Sequence, residues 1–289
     1  MRTPIVVGTL LASLSAAASP APIIGGSLEA GEPAVVMLAA YPSDHSTLFT
    51  CTAVVIAPRA LLTAAHCVDH PGFTFGVFYG ADATPFDTLD KLIPQLAAVS
   101  AVHPHPSYSP DPPTFNADIA VVNLAADVPS SITPLQINRT PPVEAMVGLD
   151  VKIIGYGQTT FGQNNSAKYS AITQIFALDP DDTILIGSAD ARTCVGDSGG
   201  PALLSNVVLG VDSYSDTTGC GDPAHFRRTD AYVAFIDQEA GTSPPPPPPP
   251  DEDPPVMDEG GGGCAAGGTP SILIGLALAG LLGRRYLKR

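Results

Sequence analysis

Thr193-Cys194-Val195-Gly196-Asp197-Ser198-Gly199-Gly200-Pro201 is the stretch on which the reading of this 289-residue chain turns. A glycine-rich run can be no more than a tight turn, but Gly-Asp-Ser-Gly-Gly-Pro is a long and specific pattern. It places a hydroxyl and a carboxyl side by side among glycines. Two other stretches bear on it. Leu61-Leu62-Thr63-Ala64-Ala65-His66-Cys67 offers an imidazole, and Asn116-Ala117-Asp118-Ile119-Ala120-Val121-Val122 offers a carboxylate opening an apolar run. Taken singly, a histidine in an apolar stretch is usually structural, and an Asp before a strand is usually a turn residue. Taken together they hold a nucleophile, a base and a group to orient the base, which is what amide hydrolysis at neutral pH requires beside donors for the oxyanion.

The three stretches, in the order His, Asp, Ser, strongly resemble the chymotrypsin/trypsin family of serine peptidases. Other marks agree. Ile23-Ile24-Gly25-Gly26 is similar to the family's mature N-terminus. Gly155-Tyr156-Gly157 is similar to its Gly-Trp-Gly, and Ser213-Tyr214-Ser215 to its Ser-Trp-Gly. Ala231 to Ile236 resembles the start of its C-terminal helix. The resemblance covers Ile23 to Gly241. It implies an all-β fold of two six-stranded antiparallel Greek-key barrels with a short C-terminal helix, and a serine endopeptidase working through an acyl-enzyme, with no cofactor and no metal.

Roles follow from the resemblance residue by residue. Ser198 attacks the scissile carbonyl, His66 is the general base, and Asp118 orients His66 and stabilises its imidazolium. The peptide N–H groups of Gly196 and Ser198 form the oxyanion hole. Disulfides join Cys51 to Cys67 and Cys194 to Cys220. Asp197 receives the new α-ammonium of Ile23 once the preceding residues are removed. The rival expectation is a non-catalytic homologue acting as a binding module, although all three triad positions and Gly196 are kept.

Composition supports a strand-rich domain. Hydrophobic residues make up 45% and charged residues 14%, enough for a core, while 31 Pro and 28 Gly imply many turns. Short apolar runs recur at Val35–Ala40, Thr52–Ile56, Thr74–Tyr79, Ile119–Leu124, Val151–Gly155 and Val207–Val211, with a candidate helix from Thr229 to Glu239. From Ile23 to Gly241 there are 8 basic and 23 acidic residues, a net −15, so nucleic acid is not an expected partner. Protein or peptide substrates are. Four of the five cysteines fall in the domain. No Cys-x-x-Cys spacing suggests zinc.

The ends read as addresses. Residues 1–18 have one basic residue, an apolar run from Ile5 to Leu14 and small residues at Ala16 and Ala18, the pattern of a signal peptide cut after Ala18. Residues 19–22 would be a short propeptide, Ser-Pro-Ala-Pro. Pro22 stands where trypsin-like zymogens carry Arg or Lys, so the expected processing peptidase is an x-Pro dipeptidyl peptidase acting stepwise, with direct signal cleavage after Pro22 as the rival. Residues 242–263 form a Pro- and Gly-rich acidic linker whose run Pro244–Pro250 would be a stiff spacer. Residues 264–289 hold Cys264, an apolar segment at 271–283 and a basic end. They resemble a Myxo-CTERM sorting tail, which implies sorting machinery, processing or lipidation at Cys264, and a cell-surface destination. A simple membrane anchor is the alternative.

The specificity pocket stays open at this level. The position of trypsin's floor Asp is Arg192, and Ser215 and Ala224 stand where glycine is usual, so preference for Lys or Arg does not carry over. Asp212, before Ser213, adds an acid. Arg192 could draw acidic side chains, Asp212 could draw basic ones, the two could pair, or Arg192 could turn to solvent.

Overall fold

The computed structural model describes residues 23–242 apart from 112–114, 159–164, 181, 218–219 and 222. The expected signal peptide, propeptide, Cys264 and sorting tail lie outside the described residues, as does the linker beyond Thr242. Among the described residues no helix is long and apolar enough to cross a membrane.

Strands run in the order β1 (Ser27–Leu28), β2 (Val35–Tyr41), β3 (Phe49–Ala57), β4 (Ala60–Thr63), β5 (Thr74–Phe78), β6 (Ala97–Pro104), β7 (Ala120–Leu124), β8 (Gln136–Ile137), β9 (Asp150–Gly155), β10 (Tyr169–Leu178), β11 (Thr183–Ile186), β12 (Pro201–Leu204), β13 (Val207–Ser215) and β14 (Ala224–Arg228). Two short α-helices, α1 (Leu89–Leu92) and α2 (Val233–Ala240), complete the set. The six apolar runs of the sequence are β2, β3, β5, β7, β9 and β13. The strands not anticipated include β6, whose positions are half-buried or exposed, and β10, which alternates buried with exposed ones, and their mixed composition hides them from a search for apolar runs.

The first six long strands close a barrel in the order β2-β3-β4-β7-β6-β5. The last six close a second, β9-β10-β11-β14-β13-β12, sealed by the pairing of β12 with β9. Both are antiparallel and follow the same order of strands, which is the two-barrel architecture expected. β1 extends the second sheet along β10, and β8 runs parallel to β13.

Of the two main cores, the first reaches across the junction to Ile154, Leu203, Val208 and Val211 of the second barrel. Val36, Leu38, Val54, Leu62 and Val121 pack the first; Ile153, Ile175, Ile184, Leu209 and Phe226 pack the second, together with the fully buried Ile23. The helix α2 lies back on the first barrel, with Ile236 in that core and the Glu239 carbonyl accepting from Asn123 Nδ2 at 3.1 Å. Buried Lys168 from β10's approach donates to the carbonyls of Glu32 and Val35 ahead of and within β2, and burial pushes its amine down to about 8.

Two disulfides are closed, Cys51–Cys67 and Cys194–Cys220, separated by 16 and 26 residues. Loop-closure entropy makes the first worth about 3 kcal/mol. Replacing Cys51 and Cys67 together with Ser should lower the urea-unfolding free energy by about that amount. A loss below about 0.5 kcal/mol would show that the unfolded chain gains little from its release.

Candidate active site

The site lies where the two barrels meet. β4 ends at Thr63 and gives way to a 3-10 turn, Ala65–Cys67, that carries His66. Asp118 precedes β7 and follows Ala117, which sits at φ 49°, a left-handed conformation costly for a residue with a Cβ. The Ala117 carbonyl accepts the Ile119 N–H at 2.8 Å, and this tight turn aims Asp118 inward, where it is fully buried.

Three donors converge on that carboxylate. The His66 backbone N–H donates to Oδ1 at 2.8 Å, His66 Nδ1–H donates to Oδ2 at 2.8 Å, and Ser213 Oγ donates to Oδ2 at 2.6 Å. Held in this way, His66 keeps its proton on Nδ1 and presents the Nε2 lone pair outward. Ser198 lines the cavity on the other side of the junction. No hydrogen bond joins Ser198 Oγ to the imidazole in this structure. Such contacts are often long before substrate binds.

The turn bearing Ser198 is locked from both barrels. Thr52 on β3, fully buried, donates its N–H to the Ser198 carbonyl at 2.9 Å and its Oγ1 to the Gly196 carbonyl at 3.0 Å, and accepts from Tyr156 N–H at 3.0 Å. Sequence reasoning passed over Thr52, because a Thr inside an apolar strand carries no visible signal. Gly199 N–H donates to the Asp212 carbonyl at 2.7 Å, and Asp212 N–H to the Gly200 carbonyl at 2.9 Å. Gly196 adopts φ 97°, and among the described residues neither its N–H nor that of Ser198 has an internal acceptor. Two peptide donors are therefore left for a ligand beside the Ser198 hydroxyl.

Asp197 is fully buried under this turn. Its carboxylate accepts from Gly157 N–H and Cys194 N–H, both at 2.8 Å. It fills the space over Gly157, where a Cβ would stand 2.5 Å from Asp197 Oδ2, so Gly-Tyr-Gly is a close-approach requirement. Among the described residues no cationic side chain pairs with Asp197, and burial pushes its carboxyl up to about 7. Ile23 is buried in the core of the same barrel, and Ile24 pairs with Arg192 by two backbone hydrogen bonds.

The cavity beside Ser198 has a volume of about 250 Å³. Of the sequence-predicted pocket residues, Asp212, Ser213 and Ser215 line it, and Arg192 and Ala224 do not. Arg192 neither faces the cavity nor pairs with Asp212. Its guanidinium donates to the carbonyls of Ser188 and Ala189 and to that of Cys220, a residue that lines the cavity. Thr193, Tyr214 and Thr217, not anticipated as a set, complete the polar wall. Cys51, His66 and Cys67 are close enough to suggest a metal cluster, but the two thiols are consumed by their disulfide.

Two antiparallel six-stranded barrels, with a His–Asp pair from one and a Gly-Asp-Ser turn from the other, define the chymotrypsin-like fold. The sequence matches the family model for trypsin over residues 24–236, and the chain belongs to the trypsin family. It is 26% identical over 212 residues to brachyurin of Leptuca pugilator, covering 68% of this chain and 90% of that one. It is 29% identical over 209 residues to serine protease SP24D of Anopheles gambiae, covering 65% and 70%. Its fold is similar to that of neuropsin, a serine protease of mouse brain, with a TM-score of 0.60 at 23% identity, over 74% of this chain and 98% of that one.

Proposed function

We propose that this chain is an exported or surface-attached serine endopeptidase that cleaves peptide bonds through an acyl-enzyme on Ser198. The observation that carries the reading is the hydrogen-bonded series from Ser213 through Asp118 to His66, set beside a hydroxyl flanked by two peptide N–H donors with no internal acceptor. His66 Nε2 takes the Ser198 proton as Oγ bonds to the carbonyl carbon. The N–H groups of Gly196 and Ser198 hold the negative oxygen. His66 then passes the proton to the departing amine, and water repeats the sequence to free the acid and restore Ser198.

Export accords with two disulfides, which persist in oxidising compartments. The signal peptide, the processing peptidase acting before Ile23, and tail processing or lipidation at Cys264 belong to the same reading. So does the activation pair between the Ile23 ammonium and Asp197.

A fluorophosphonate probe, which esterifies only an activated serine, should label protein beginning at Ile23. Ser198→Ala should remove the label. Labelling that survives this substitution would refute Ser198 as the nucleophile, and absence of label on the parent would refute the peptidase.

A further inference from the structure

Three successive peptide units surround the two N–H groups left for a ligand beside Ser198, and each is pinned by its carbonyl. The Val195 carbonyl accepts from Gln158 N–H at 2.7 Å, and the Asp197 carbonyl from Gly200 N–H at 2.7 Å. Those two peptides carry the N–H groups of Gly196 and Ser198. The middle peptide, from Gly196 to Asp197, sets one donor relative to the other. Its N–H donates to the Cys194 carbonyl at 3.0 Å, and its carbonyl accepts from the Thr52 hydroxyl at 3.0 Å. Of the donors that pin these carbonyls, two are backbone N–H groups and one is a side chain. That hydroxyl is itself held. Thr52 is fully buried, and Tyr156 N–H donates to its Oγ1 at 3.0 Å, which leaves the hydroxyl proton directed at Gly196. Thr63 Oγ1 donates to the Thr52 carbonyl at 2.8 Å, and Thr52 N–H donates to the Ser198 carbonyl at 2.9 Å. One residue of β3 thus joins the strand that leads to His66, the turn of Ser198 and the peptide between the two donors. Gly199 permits this approach, since a Cβ there would overlap the Thr52 carbonyl oxygen and Thr63 Oγ1.

We propose that Thr52, through its hydroxyl, is a positioning residue for oxyanion stabilisation, orienting the peptides that present the Gly196 and Ser198 N–H groups. This rests on the peptidase reading above. Gly196 sits at φ 97° and has no Cβ, so rotation about its α-carbon meets little steric resistance. The glycine that keeps the site clear therefore leaves its own peptide able to turn. The Thr52 hydroxyl opposes that turn from a buried position, where water does not compete for the bond. Without it, the Gly196 carbonyl gains by turning toward water, and the two N–H groups shift relative to each other. Stabilisation of this kind depends on donors already aimed at the place where charge develops. Thr52 does not touch the substrate in this arrangement; it acts through Gly196. Replacing the hydroxyl by a methyl also takes the acceptor from Tyr156 N–H, so stability falls as well, and the test must read the site separately from the fold.

The test compares enzyme beginning at Ile23 with its Thr52→Val and Thr52→Ser variants. It uses a peptide that the parent cleaves, chosen from a mixed library, and the aldehyde made from that peptide. Ser198 Oγ bonds to the aldehyde carbon, the serine proton passes to the new hydroxyl, and the hemiacetal oxygen takes the place of the oxyanion. Losing one donor of an oxyanion hole costs about 10²–10³ in kcat. Thr52→Val removes no donor and loosens two, so kcat per fluorophosphonate-titrated site should fall by about tenfold or more, with KM within about threefold of the parent's. The inhibition constant of the aldehyde should rise by a similar factor. Thr52→Ser keeps the hydroxyl and should match the parent in both. A loss of stability alone would reduce the number of titrated sites and move neither constant. An unchanged kcat in Thr52→Val, a lowered kcat with an unchanged aldehyde constant, or a Thr52→Ser as impaired as Thr52→Val overturns this inference alone. Should Thr52→Val not fold, Thr52→Ala set against Thr52→Ser decides by the same criteria. A parent that neither labels with the fluorophosphonate nor cleaves the library overturns the peptidase reading and this one with it.

Discussion

Asp118→Asn should lower kcat by about ten-thousand-fold while leaving the fold and KM little changed. The cause is the tautomer of His66. In the parent, Asp118 accepts from the His66 backbone, from Nδ1–H and from Ser213 Oγ, so it can only be met by donors. An amide at 118 can turn its NH₂ toward Nδ1, which then must accept. The imidazole proton moves to Nε2, the atom that should take the proton from Ser198, and general-base catalysis stops. The imidazolium also loses its buried counter-ion. Kinetics on a peptide with the folded state checked by near-ultraviolet circular dichroism would test this, and a fall of less than tenfold would show that Asp118 is not the orienting group. The residual rate should rise steeply with pH, as hydroxide replaces the missing base.

A chain retaining residues 19–22 should be weakly active, and at neutral pH less stable than one beginning at Ile23. The reason lies in Asp197. In the unprocessed chain the Ile23 nitrogen is an amide, and the buried carboxyl stands at about 7 with only two peptide N–H donors. An ordinary carboxyl in the unfolded chain titrates near 4. Between those pH values the folded state holds a proton that the unfolded chain has released, so the stability of the unprocessed form falls as pH rises from about 4 to about 7, then levels off. The loss is on the order of 4 kcal/mol. An ammonium at Ile23 reverses the sign. It holds the carboxylate ionised in the fold, and that contribution is present above pH 4 and lost on acidification. The Tm of the processed form should therefore exceed that of the unprocessed form at pH 7.5, and the two should converge near pH 4. The gain in activity should follow the gain in stability, since Asp197 adjoins both donors of the proposed oxyanion hole. Equal Tm and equal activity at pH 7.5 would remove Asp197 from any activating role.

The fold was legible because its strongest signals are short and local. The runs that became β2, β3, β5, β7, β9 and β13 are apolar enough to announce buried strands on their own. β6 and β10 are half exposed, so only their partners reveal them. The candidate site was legible where one residue type carries one chemistry, as at His66, Asp118 and Ser198. It was illegible where the backbone does the work. Thr52 holds the Ser198 turn from the opposite barrel through its N–H and its hydroxyl, 146 positions from Ser198 in the chain, and nothing in its neighbourhood says so.

By itself the sequence determined the order His66, Asp118, Ser198, the glycines that let the Ser198 turn form, and the cysteines able to brace it. Those follow from chemistry that only a few side chains possess and from backbone shapes that only glycine adopts freely. The tertiary structure alone decided which charges face the cavity. Arg192 and Asp212 stood as equal candidates along the chain. Three carbonyl acceptors hold the first, and an irregularity of β13 between Asp212 and Tyr214 leaves Asp212 and Ser213 together on the cavity lining. Side-chain direction depends on hydrogen-bond partners far away in sequence, and it becomes definite only when both barrels have closed.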